Sequence, residues 1–166
     1  MKIAFTGSHG TGKTTSVAKK FYDMKLHNPE NSITILTENA KNSPFKINKE
    51  TSFESQLWIF SNQMQSELFF QANYDILICD RTIVDSIAYT MTAGLNDLAN
   101  SMMNLAKDYI CTYEYIIFKT IKNNDFLMKD GIRDHNDLQF RQDVENHLLN
   151  LYKILQKDKK INFEVI

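Results

Sequence analysis

Residues 7 to 14 read Gly7-Ser8-His9-Gly10-Thr11-Gly12-Lys13-Thr14, a complete G-x-x-x-x-G-K-[ST] pattern. No other stretch constrains the fold as tightly, because this pattern works only between a buried strand and a helix. Both flanks are right. Lys2-Ile3-Ala4-Phe5-Thr6 is short and apolar enough for a buried strand, and Val17 and Phe21 stand at the i, i+4 spacing of a helix. The glycines let the backbone wrap around phosphates with successive N–H groups pointing inward, and the helix adds the positive end of its dipole. Lys13 is placed to reach β- and γ-phosphate oxygens, and the Thr14 hydroxyl to ligate Mg²⁺. The pattern implies a nucleoside triphosphate with Mg²⁺, held by Gly7, Ser8, His9, Gly10, Thr11, Gly12, Lys13, Thr14 and Thr15.

The remaining bounds fit one domain over residues 1–166, long enough to bury a full core. A formal net charge of −1 gives no broad basic field for nucleic acid or an anionic membrane surface. The apolar runs are strand-sized, well short of the ~20 residues that a membrane-spanning helix needs. The N-terminus enters the first strand directly, so no signal peptide is expected. Cys79 and Cys111 lie in or beside predicted strands without metal-ligand spacing, and both read as buried thiols of a reducing cytoplasm.

After the first helix, Leu26 to Asn31 is a turn containing Pro29, and Ile33-Thr34-Ile35-Leu36-Thr37 is a second strand that ends at Glu38. Residues 39–48 are polar loop. From Thr51 to Ala72 the apolar residues Phe53, Leu57, Phe60, Met64 and Leu68 recur at helical spacing, capped by Thr51 or Ser52. Tyr74 to Asp80 is a third strand whose apolar run stops at a carboxylate. Helices follow over 83–92 and 96–110, then a fourth strand over 113–118. A polar segment over 122–137, a helix over 138–157 and a last strand over 161–166 complete the chain. Strands alternating with helices predict an α/β fold with a mostly parallel five-stranded sheet covered on both faces, the P-loop NTPase fold. In such sheets ligands sit at the carboxyl ends of the strands, which should bring the glycine loop, Glu38 and Asp80-Arg81 together.

Asp80 is placed either to hold the metal opposite Thr14 or to cap the next helix. With Arg81 behind it, the segment resembles the nucleoside and nucleotide kinases, especially deoxynucleoside kinases, thymidylate kinase and nicotinamide riboside kinase-like P-loop proteins. The resemblance implies that Arg81 touches the acceptor's 5′-oxygen or phosphate, a place that suits a bidentate guanidinium; a surface salt bridge is the plainer role. It implies that Glu38 orients or deprotonates the attacking hydroxyl, against a strand-end role. Asn39-Ala40-Lys41 departs from the Glu-x-x-Arg pattern of the relatives, since Lys41 keeps the charge but loses the fork.

Gln56, Gln63 and Glu67 share one helix face, which is either a solvated stripe or, as in deoxynucleoside kinases, a place where a glutamine pairs with the base and Phe60 packs alongside. The polar segment over 122–137 matches the kinase lid, with Arg133 and then Arg141 brought over the transferring phosphoryl group; the alternative is a surface loop. Arg81, Arg133 and Arg141 are the three arginines of the chain, and each falls where such a kinase would need one. Asp85 and Ser86 are placed to orient Arg81 or to cap and pack.

The expected activity is γ-phosphoryl transfer from ATP to a nucleoside hydroxyl or a nucleoside monophosphate. A kinase acting on hydroxymethylated DNA bases would need a basic groove, and a regulatory ATPase would need more chain. The expected partner is thus a small nucleoside or nucleotide, with nucleic acid less favoured and no membrane; pairing as a homodimer stays open.

Overall fold

The computed structural model describes residues 1–47, 50–122 and 138–166. Five strands, β1 (Lys2–Thr6), β2 (Ile33–Leu36), β3 (Ile76–Asp80), β4 (Tyr115–Phe118) and β5 (Phe163–Val165), form one sheet in the order β2-β3-β1-β4-β5. All neighbours are parallel. Among the described residues, five α-helices connect or follow them: α1 (Lys13–His27), α2 (Phe53–Asn73), α3 (Ile83–Thr92), α4 (Asn96–Tyr109) and α5 (Leu138–Asp158). The period-2 alternation of the strands sorts their side chains into two cores. Ile3, Phe5, Ile33, Ile76 and Ile78 pack with Val17 under α1. Ala4, Leu77, Cys79, Ile116 and Phe118 face the other way, against α3, α4 and α5. The expected α/β arrangement with helices on both faces is therefore present.

Two expectations need correcting. Cys111 is exposed in the short 3₁₀ turn Ile110–Thr112, while Cys79 is fully buried in β3, where desolvation pushes its thiol pKa well up. Helix α2 also buries only part of its predicted apolar stripe: Phe60 is in the core and Met64 packs against it, but Phe53, Leu57 and Leu68 are 50%, 40% and 56% exposed. Its buried face is Ser55, Gln56, Phe60, Gln63 and Glu67. The reason is chemical. Beneath that face lie the Lys2 ammonium and the Tyr109 and Tyr113 hydroxyls, and polar groups in a closed interior need polar partners.

Candidate active site

The carboxyl ends of β1, β2 and β3 converge. The loop after β1 carries Gly7, Gly10 and Gly12 at φ 135°, 73° and 73°, a backbone path that L side chains rarely follow. Gly7 is the tightest point: a Cβ there would stand 2.3 Å from the Lys119 carbonyl oxygen. That carbonyl cannot retreat easily, because the Lys119 N–H is bonded to the Thr6 carbonyl at 2.9 Å. Gly7→Ala is expected to cost about 1–3 kcal/mol for the backbone conformation alone, before the overlap is counted. Thermal unfolding should move down by about 5 °C or more, and an unchanged midpoint would remove the steric argument.

Within the loop, the buried Lys13 Nζ donates to the Ser8 carbonyl at 2.6 Å, and Thr11 Oγ1 donates to the same carbonyl at 3.0 Å. Helix α5 clamps the loop from behind: Ser8 Oγ donates to the Arg141 carbonyl and Arg141 Nε to the His9 carbonyl, each at 2.8 Å. Arg141 thus lies against the loop backbone. On the β3 side, Thr14 Oγ1 donates to Asp80 Oδ2 at 2.5 Å, so a hydroxyl and a carboxylate oxygen meet at the first turn of α1. Thr15 is exposed on that same turn.

Arg81 is the centre of a second polar cluster, between the ends of β2 and β3 and the start of α3. Its Nε donates to Glu38 Oε1 at 2.7 Å and its Nη1 to Asp85 Oδ1 at 3.0 Å; Nη1 also reaches the Gly7 carbonyl at 3.4 Å. The guanidinium lies 5.2 Å from the centre of the Tyr89 ring. Burial opposes its charge, but Tyr89, Asp85 and Asp80 around it more than compensate, and its pKa is raised. Asp85 serves both roles expected of it, since its Oδ2 closes a capping box with Thr82 at the start of α3.

A cleft opens beside this group, lined by Glu38, Ala40, Gln56, Ile59, Arg81 and Tyr89 among others. Gln56 therefore reaches it, held by Thr51 at 2.7 Å and Thr90 at 3.3 Å. Phe60 belongs to the α3–α5 core instead. Gln63 is buried and does not line the cleft, and Lys41 is exposed on the 3₁₀ turn Asn39–Asn42 without lining it either. Arg133 and the proposed lid over 122–137 lie outside the described residues, apart from Lys122.

A family profile described as an AAA domain matches residues 2–161. Over 175 aligned positions the chain is 30% identical to the thymidylate kinase of Campylobacter hominis, covering 95% of this chain and 89% of that protein. The chain is a member of the P-loop nucleoside and nucleotide kinases. Its fold matches that of thymidylate kinase from Ehrlichia chaffeensis with a TM-score of 0.73 at 20% identity, covering 100% of this chain and 91% of that one. It also matches a structure of deoxyadenosine kinase from M. mycoides with a TM-score of 0.69 at 19% identity, covering 100% and 90%.

The kinase carries two site residues that sequence reasoning passed over. Tyr89 stands four residues after Asp85 on the same face of α3, a spacing that could have shown it facing Arg81. Lys119 follows the apolar run of β4, and its Nζ donates to Ser16 Oγ at 2.7 Å and approaches the Gly12 carbonyl at 3.4 Å. Because β1 lies between β3 and β4, the kinase has Asp80 and Arg81 on one flank of its loop and Lys119 on the other. Among the described residues, no helix is long and apolar enough to cross a membrane.

Proposed function

We propose that this kinase moves the γ-phosphoryl group of ATP, with Mg²⁺, to the hydroxyl of a nucleoside. The engagement of Arg81 carries the choice of acceptor. Glu38 and Asp85 share this one guanidinium at 2.7 and 3.0 Å, so carboxylates outnumber cations among the described residues that line the cleft. A dianionic monophosphate would meet that excess as repulsion. A neutral hydroxyl would not, and Glu38 offers it a carboxylate to take its proton. Ile59 and Tyr89 supply apolar surface for a base, and Gln56 both a donor and an acceptor.

On the donor side, Lys13 and the loop amides bind the β- and γ-phosphates in this reading, and Arg141 with Arg133 bring charge to the migrating group. Thr14 and Asp80 would hold Mg²⁺. A hydroxyl and a carboxylate oxygen 2.5 Å apart fit the small protein share that this ion takes beside phosphates and water. When bound, the ion neutralises phosphate charge.

The thymidylate kinase relative at 30% identity favours a second reading, in which the acceptor is a nucleoside monophosphate. Glu38→Gln separates the two. With a hydroxyl acceptor, kcat should fall about 10²-fold, whereas a monophosphate has no proton to lose and should be affected much less. The assay is ADP release across a panel of nucleosides, nucleoside monophosphates and hydroxymethylated oligonucleotides. A small effect of Glu38→Gln together with turnover on monophosphates would overturn the nucleoside reading.

A further inference from the structure

Glu67 lies in the interior on α2 and does not line the cleft, and it accepts four hydrogen bonds, about one for each of its lone-pair sites. Its Oε2 accepts from Lys2 Nζ and Tyr109 Oη, both at 3.0 Å. Its Oε1 accepts from Tyr113 Oη at 2.7 Å and Gln63 Nε2 at 2.8 Å. The two oxygens face different tasks. Those on Oε2 anchor the carboxylate: Lys2 is fully buried and its ammonium sits 4.3 and 4.0 Å from the Tyr109 and Tyr113 ring centres.

The groups on Oε1 lead to Arg81. Gln63 Nε2 also lies 3.4 Å from the Arg81 carbonyl, and Tyr113 Oη accepts the Ile83 N–H at 3.2 Å. These contacts grip the backbone on either side of Thr82, the residue that follows Arg81. The grip matters because Arg81 has φ 102°, among the described residues the one non-glycine residue at positive φ, a conformation costing about 1–3 kcal/mol that persists only where surroundings hold it. The same Gln63 amide accepts from Asn39 Nδ2 at 3.2 Å, next to Glu38. Both halves of the Arg81–Glu38 pair are thus held from beneath by one carboxylate and its donors.

We infer that Glu67, acting through Tyr113 and Gln63, is a positioning residue that sets the Arg81 turn and its pairing with Glu38. This rests on the reading of Arg81 as the acceptor-side cation. Tyr113 and Tyr109 provide a matched test, since each donates one bond to Glu67 but only Tyr113 touches the backbone beside Arg81.

The first readout is the Arg81 Nε–H signal in a proton–nitrogen spectrum of the free protein, assigned by its loss in Arg81→Lys; with three arginines in the chain the spectrum is sparse. The second is ADP release from ATP with a mixture of the four common deoxynucleosides and their monophosphates. Tyr113→Phe should move the Arg81 signal and lower kcat about tenfold, with the ATP KM within about twofold. Tyr109→Phe should leave both readouts unchanged, because the buried Lys2 ammonium still anchors Oε2. In an Arg81→Lys background, Tyr113→Phe should add no further loss.

Equal effects of the two tyrosine variants, or no effect of Tyr113→Phe, would overturn the inference. Should Tyr113→Phe not fold, Gln63→Leu carries the same expectations, because it removes the contacts to Arg81 and Asn39. Absence of ADP release by the wild-type protein would count against the proposed function alone, and the Arg81 signal would still decide the positioning role.

Discussion

Lys13→Ala should lower turnover about 10³-fold and weaken ATP binding, the effect expected when a preorganised cation is removed from a transferring phosphoryl group. Lys13 is 5% exposed, and its Nζ is held by the Ser8 carbonyl at 2.6 Å, so its charge is already aimed into the loop. Alanine removes both the charge and that tie. Lys119 on the far flank of the loop keeps some positive charge there, which is why ATP binding should weaken rather than vanish. Calorimetry with ATP beside initial-rate measurements separates the two effects. Turnover near that of the wild type would remove the donor assignment altogether.

The second large effect belongs to Arg81→Lys, which should cost about 10²-fold in kcat. Lysine keeps the charge and meets the same backbone penalty at φ 102°, so the substitution isolates the fork. What is lost is simultaneous contact: Nε with Glu38, Nη1 with Asp85, and Nη2 within 3.5 Å of the Tyr89 hydroxyl. A single ammonium cannot span those directions, so the 2.7 Å tie between position 81 and Glu38 is weakened or lost. Steady-state rates in Arg81→Lys that match the parent would reduce Arg81 to a structural ion pair.

Much of this fold was legible because local signals agreed. The glycine pattern lay between an apolar run and a helical repeat, and helix α3 runs over Ile83–Thr92, the bounds its periodicity suggests. The apolar runs that stop at Glu38 and Asp80 pointed to the crevice by topology alone. Helix α2 was not legible in the same way. Periodicity tells which residues share a face, but not which face turns inward. That choice depended on Lys2, 65 positions away from Glu67 and buried with it. Gln63 was placed on the right face for the wrong neighbour: its amide is engaged by Asn39, Glu67 and the Arg81 carbonyl. Tyr89 and Lys119 escaped because neither belongs to a motif; each gains its place from packing across the sheet.

The strand order sets a ruler for molecules that join both substrates. Lys119 closes β4 and Glu38 follows β2, with β1 and β3 between them. Three interstrand spacings come to roughly 14 Å. If the donor lies at the Lys119 flank and the acceptor at the Glu38 flank, as the proposed function has them, two nucleosides tethered through a polyphosphate chain would have to bridge about that distance to occupy both at once. A shorter tether would compete with one substrate only, and a matched one with both.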